Sequence, residues 1–226
     1  MKIAIISDVH GNLPALEAVL SSVASEGAER IVCLGDVVGY GARPEECAEI
    51  IRQRGIPTLM GNHDQAACGR SNTDDFSEIA EAAIIWTRGR ISPETSNWLA
   101  SLPWTIAEGD ELFVHASPAD PPRFDYILTQ SDARRPLQSF TQRRCFYGHT
   151  HVPMDFTDRA SGRKLINVGS VGQPRDRDPR ACYGLFDNTT AVFRWVRVEY
   201  SVEEAAEQIF AAELPRVLGE RLRRGT

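Results

Sequence analysis

The chain has 226 residues, 42% of them hydrophobic, with 25 Lys and Arg against 31 Asp and Glu and a formal net charge of -6. That length suits one sizeable domain or two small ones, and the composition is that of a globular chain rather than a disordered one. The acidic balance argues against a binder of duplex nucleic acid, which ordinarily shows a basic face. No apolar run approaches the roughly 18 residues of a membrane span, and Met1 to Ile6 is too short to be a signal peptide before Asp8 intervenes.

Lys2 to Ile6 reads as a strand covered on both faces. Asn12 can cap a helix that carries Pro14 in its first turn and Leu16, Val19, Leu20 and Val23 on one face. Arg30 to Leu34 is a second buried strand, Pro44 opens a helix that Gly55 ends, and Pro57 to Met60 is a third short strand. Strand alternating with helix predicts parallel pairing. Phe76, Ile79, Ala80, Ala83 and Ile84 recur at helix spacing, with Asp74 or Asp75 as the cap. Ser92-Pro93 begins another helix, and Trp104 to Ala107 and Glu111 to His115 form a hairpin at Gly109-Asp110. A proline-rich loop, Ala116 to Pro122, acts as a stiff wall, with Phe124 and Tyr126 beyond it as candidates to line a pocket. Ser131 to Gln142 reads as a helix and Arg144 to Tyr147 as a strand.

From Pro153 the rhythm changes to hairpins: Met154 to Asp158 with Arg163 to Val168, then Ala181 to Asp187 with Ala191 to Val198. Ser201 and Glu204 form a capping box for a last helix, which Pro215 breaks. No repeat or domain boundary interrupts residues 1–226, so a single domain is expected. The five cysteines, Cys33, Cys47, Cys68, Cys145 and Cys182, are odd in number and form no C-x-x-C pair, which fits a reducing, cytoplasmic setting.

The histidines carry the chemistry. All five lie in short polar stretches that follow apolar runs: Asp8-Val9-His10, Gly35-Asp36, Gly61-Asn62-His63-Asp64, His115 and Gly148-His149-Thr150-His151. Neighbouring parallel strands deliver the residues past their C-terminal ends to one crevice. Residues two apart on extended backbone point to one side, so Asp8 with His10, and His149 with His151, can each present two donors together. Taken singly, Asp8 could cap a helix, Gly35-Asp36 could be a turn and His115 a buried histidine; their coincidence at successive strand ends favours a shared metal site. Carboxylate, amide and imidazole donors without thiolate suit Mn, Fe, Co, Ni or Zn.

The order D-x-H, G-D, G-N-H-D, H, G-H-x-H resembles the calcineurin-like metallophosphoesterase family from Asp8 to His151. The runs Gly35 to Gly41, His115 to Pro118 and Asn167 to Arg175 further resemble its small bacterial and archaeal phosphodiesterase-like branch. The resemblance implies a four-layer α/β/β/α sandwich of two mixed sheets flanked by helices. It implies that Asp8, His10 and His151 bind one divalent transition-metal ion and Asn62, His115 and His149 a second, with Asp36 bridging them. Manganese is the first expectation for both ions. It also implies that His63 is catalytic, sitting over the reacting phosphate while a hydroxide bridging the metals attacks phosphorus in line.

In the phosphoprotein phosphatase branch a second aspartate orients the catalytic histidine, and arginines bind phosphate. Here those places are Gly39, Tyr40, Gly41 and Met60. Arg175 is a candidate substitute phosphate contact, or else a solvated loop arginine; Tyr40 is a candidate substrate contact, or else packs. The fewer arginines favour a small or nucleotide-like phosphodiester as the substrate partner over a phosphomonoester. A nuclease would want a basic track that the charge does not supply, and a non-catalytic scaffold of the same fold would not need every donor kept. The sequence leaves the oligomeric state open, a homo-oligomer included.

Overall fold

The computed structural model describes residues 1–226. β1 (Lys2–Ile6) leads into α1 (Leu13–Ser25), where the Asn12 side chain accepts from the Ala15 N–H. β2 (Arg30–Cys33) returns parallel to β1, Ile3 opposite Arg30 and Ile6 opposite Cys33. After α2 (Pro44–Gln53) the expected third strand reduces to one parallel bridge between Cys33 and Thr58. Pro57 has no N–H to add to a ladder, and Met60 turns its own to the Pro103 carbonyl at 2.8 Å.

Three helices follow: α3 (Asn62–Ala67), α4 (Glu78–Arg88) and α5 (Pro93–Ala100). The cap of α4 is Ser77, whose hydroxyl accepts from the Ala80 N–H, rather than Asp74 or Asp75; Phe76 therefore precedes the helix. β3 (Thr105–Glu108) and β4 (Glu111–Val114) make the expected hairpin. α6 is only Arg134–Gln138, shorter than Ser131 to Gln142, because Asp132 instead accepts from the Leu128 and Thr129 N–H groups and closes a separate turn.

β5 (Arg144–Tyr147), β6 (Met154–Thr157), β7 (Lys164–Asn167), β8 (Ala181–Asp187) and β9 (Val192–Val198) complete the strands. α7 (Val202–Ala211) and α8 (Arg216–Arg224) are separated at Pro215. Ser201 stands at the start of α7 but its side chain makes no capping hydrogen bond, so the capping box is not formed.

The strands form two mixed sheets, ordered β2-β1-β8-β9 and β3-β4-β5-β7-β6. Their side chains alternate with period two, and the alternation builds the layers. Ile3, Ile5, Val32, Phe113, Phe146, Ile166 and Phe186 point into one core between the sheets. Ala4, Ile6 and Cys33 face the other way, onto α1 and α2 through Leu16, Val19, Cys47 and Ile51. Leu112, Val114, Cys145, Tyr147 and Leu165 face outward from the second sheet onto Ala133, Leu137 and Phe140. The result is the expected α/β/β/α order. A further cluster joins Tyr40 to α4, α7 and α8 through Ala80, Ala83, Ala205, Ile209 and Leu218.

Candidate metal centre

β1, β2, β4 and β5 all end at one edge, and the chain turns sharply past each end. Asp8 (φ 55°), His10 (50°), Asp36 (51°), Tyr40 (56°), His149 (66°) and His151 (61°) all sit in the left-handed region. For residues with a Cβ each such conformation costs on the order of 1–3 kcal/mol and survives only where the surroundings enforce it. The enforcement is visible in the backbone. Asp8 N donates to Gly35 O at 3.0 Å, His10 N to Asp36 O at 2.9 Å, and Gly172 N to Asp8 O at 2.9 Å. Asn167 ties the later turns together, its amide donating to Gly148 O at 2.6 Å and to Thr150 Oγ1 at 2.9 Å.

The donors converge in groups whose ligand atoms lie within 4.8 Å of one another: Asp8, His10 and His151; Asp36, His115 and His149; and His10, Asp36 and His63. Asp36 Oδ2 is 3.6 Å from His10 Nε2 and 3.4 Å from His115 Nε2, so one carboxylate oxygen lies between the first two groups. Asn62 joins the second, with Oδ1 3.3 Å from His115 Nε2. Every one of these side chains except that of Asn62, which is half-exposed, is buried.

The ring orientations fit a cation. Nδ1 of His10 faces Val38 O at 3.1 Å and Nδ1 of His151 faces Gln173 O at 2.6 Å. A carbonyl only accepts, so each Nδ1 carries the hydrogen and each Nε2 a lone pair. Burial holds both rings below the ordinary imidazole range, hence neutral. Their Nε2 atoms are nonetheless 3.1 Å apart. Two lone pairs facing at that distance repel unless a cation is shared between them. Asp8 Oδ1 and His149 Nε2, both buried, have no hydrogen-bond partner in the protein, as expected of donors kept for a metal.

The charges agree. Burial works to raise the Asp8 and Asp36 carboxyls, but the surrounding imidazoles, the protonated His115 among them, hold both below the ordinary carboxylate range. Burial lowers His149 to about 3. Burial also pulls His115 down, yet the Asp36, Asp8 and Asp64 carboxylates outweigh it and push His115 up to about 9.

His63 lies in the first turn of α3, its N–H donating to Asp36 Oδ1 at 2.9 Å. No carboxylate orients its ring: Nδ1 is buried without a partner. The ring is wedged by Tyr40 at 4.4 Å, His10 at 4.8 Å and Phe76 at 5.1 Å between centroids. Its remaining side is the backbone of Gly39, where a Cβ would stand 2.5 Å from Nδ1. Packing thus replaces the aspartate of the phosphoprotein phosphatases. Burial lowers His63 to about 4.

Asp64, given no role of its own by the sequence pattern, proves to be a buried fastener. Oδ1 accepts from the Val37 and Val38 N–H groups at 2.9 and 3.2 Å, and Oδ2 from the Gly61 N–H at 3.2 Å. It locks the Asp36 turn to the Asn62 turn. Burial and the nearby Asp36 charge raise it to about 7.

A cavity of about 1020 Å³ opens beside this centre, walled by Tyr40, His63, Phe76, Phe124, Tyr126 and His149. Tyr126 is 58% exposed and stacks on His149 at 4.2 Å. Arg175 enters the cavity with its guanidinium carbon 5.6 Å from the Tyr40 ring centroid and Nη2 donating to Gln173 Oε1 at 2.9 Å. Tyr40 itself is buried and packs against α4, α7 and α8 while its ring edges the cavity. Phe76 and Arg221 also reach this cavity. The sequence pattern placed Phe76 on a helix face and singled out no role for Arg221, and only the pairing of distant elements brings them here.

The model of the calcineurin-like phosphoesterase superfamily domain matches residues 1–191. The chain is 39% identical, over 239 residues, to an uncharacterised protein of Methanocaldococcus jannaschii, covering 97% of this chain and 96% of that one. It is 30% identical over 197 residues to the phosphodiesterase YfcE of Escherichia coli K12, covering 83% and 88%. A crystal structure of a metallophosphoesterase from Sphaerobacter thermophilus superposes with a TM-score of 0.89 at 40% identity, covering 100% of this chain and 99% of that one. Buried carboxylates and imidazoles grouped for cations, on two mixed sheets that match these relatives along nearly their whole length, make this chain a metal-dependent phosphoesterase of the calcineurin-like superfamily, in its small bacterial and archaeal branch.

Proposed function

We propose that the chain hydrolyses phosphodiesters of small, nucleotide-like molecules at a centre of two divalent ions. The observation that carries this reading is the pair of donor groups sharing Asp36 Oδ2. Asp8, His10 and His151 would hold one ion, Asn62, His115 and His149 the other, and Asp36 both. The thiolate-free donor set suits Mn first, with Fe, Ni, Co or Zn as substitutes. Such ions, when bound, neutralise the phosphate and acidify a water nucleophile.

The rest falls to the protein's own side chains. Asp8 and Asp36 stay ionised and His10, His149 and His151 stay neutral, so these five are ready to donate; His115 must give up a proton first. His63 is catalytic. As a neutral ring it carries one N–H, which can hydrogen-bond a phosphoryl oxygen or the leaving oxygen as charge builds there. Arg175 reaches the phosphate from the Tyr40 side as a charge-assisted donor. Tyr40 positions His63 and Arg175. Phe124 and Tyr126 offer a planar ring a face to stack on. Five free cysteines, four of them buried, support a reducing compartment such as the cytoplasm.

The test is hydrolysis of bis-p-nitrophenyl phosphate and p-nitrophenyl phosphate after loading with each metal in turn. The diester should turn over faster by about tenfold or more in kcat/KM. Preference for the monoester would reject the phosphodiesterase reading, and no hydrolysis of either with any metal would favour a non-catalytic scaffold.

A further inference from the structure

Residues 192–226 lie beyond the stretch matched by the family model, yet they help to build the cavity. α7 and α8 pack on Tyr40 and α4, and the end of α8 is fastened to the loop that carries Arg175. Arg177 N donates to Gly225 O at 2.8 Å, and Gly225, at φ 64°, lies so close to Asp178 that a Cβ would stand 2.7 Å from its backbone. Arg221, one turn earlier, reaches the same cavity as Arg175.

The charge there is uncommitted. Arg223 pairs with Glu203, Arg180 and Arg197 pair with Asp178 and Asp176, and across the cavity Arg123 pairs with Asp125. Arg221 has no carboxylate within 4 Å and no side-chain hydrogen bond, although it is half-buried. Arg175 likewise has no carboxylate partner, only Gln173. Asp75 is the one acidic side chain on the lining without an ion-pair partner, and the terminal residue Thr226 lines it too. A guanidinium that faces a cavity without a protein partner keeps its planar fork free for an oxyanion that enters.

We propose that Arg221 is a specificity-determining residue that binds a second oxyanion of the substrate, so that the preferred diester carries a further phosphate or carboxylate away from the scissile bond. This rests on the phosphodiesterase reading above. Arg175 serves the scissile phosphate, and Arg221 reads the distal group with its planar fork. The ordinary alternative is that Arg221 only complements the C-terminus of α8.

The test compares the p-nitrophenyl ester of thymidine 5′-phosphate with its 3′-phosphorylated and 3′-carboxymethylated forms, in the metal-loaded protein and in Arg221→Ala and Arg221→Lys. The unaltered protein should prefer one or both of the doubly anionic esters in kcat/KM by about tenfold or more, and the favoured arm identifies the oxyanion. That preference should collapse toward unity in Arg221→Ala and be only partly restored in Arg221→Lys, which keeps the helix-end charge but not the fork. Competitive inhibition by thymidine 3′,5′-bisphosphate should weaken in step. Equal kcat/KM for all three esters, or a preference that survives Arg221→Ala, overturns the inference while leaving the phosphodiesterase reading intact. A melting temperature lowered in Arg221→Ala with the preference unchanged assigns Arg221 to helix stability alone. Failure of all three esters would instead reject the underlying reading.

Discussion

At the scale of single residues, the convergence of these side chains was legible because their chemistry is rare. All five histidines of the chain lie in short polar stretches after apolar runs, an unusual concentration. What holds His63 was not legible. Glycine has no side chain to announce a role, and Gly39 acts through the room it leaves. A methyl group at Gly39 would press on the His63 ring and would also have to sit at φ 90°. Gly39→Ala should therefore lower kcat by about a hundredfold, the cost of misplacing a catalytic group by roughly an ångström, while metal content measured by mass spectrometry stays at the parent level. A parent-like kcat would mean that Gly39 does not set the ring. Gly61 is constrained in the same way, since a Cβ there would overlap the Asp36 carboxylate.

Secondary elements were legible where periodicity is long or a cap is specific, as in α1 with Asn12 and in the hairpins at Gly109-Asp110 and Asn188-Thr189. The failures share a cause: the backbone found a better partner than the local pattern suggested. Residues 57–60 look like a strand by composition, but Pro57 interrupts the ladder and Met60 bonds to Pro103 from another part of the chain. Asp132 spends its carboxylate on its own turn and shortens α6. Ser201 stands where a cap should be without making the bond. None of these choices can be read without knowing which distant group comes near. The strand ends, by contrast, converge as expected, because parallel pairing of β1 with β2 and of β4 with β5 and β7 aligns their C-terminal edges.

Over the whole molecule, the buried site makes stability depend on pH in two opposite ways. His10, His63, His149 and His151 have their proton affinity lowered by burial, from an ordinary 6.5. Between their folded values and 6.5 the unfolded chain binds more protons than the folded one, so stability rises with pH up to about 6.5. His115 is raised to about 9 against the burial that lowers it, chiefly by Asp36. Its contribution is fully present below 6.5 and is lost as pH rises through 9. Asp64, raised from 3.8 to about 7 chiefly by burial, costs stability across that interval and tempers the rise. Four histidines outweigh one carboxyl, so the metal-free protein should melt highest near pH 6.5 and lose stability from there to pH 9. A metal held by His115 would displace that proton, so the decline should vanish in the loaded protein. Calorimetric melting of chelated and loaded samples checks this; a chelated protein that grows more stable from pH 6.5 to 9 would contradict it.

Asp36 should serve two ions while His63 serves none. The most direct measurement is metal content by mass spectrometry, paired with hydrolysis of bis-p-nitrophenyl phosphate, in Mn-loaded parent, His63→Ala and Asp36→Ala proteins. The expected result is about two ions per chain in the parent and in His63→Ala, with activity falling by about 10²–10⁴-fold in the latter. Asp36→Ala should hold fewer ions and turn over no substrate. A parent that binds only one ion, an Asp36→Ala protein that keeps both, or a His63→Ala protein that works at the parent rate would contradict the account.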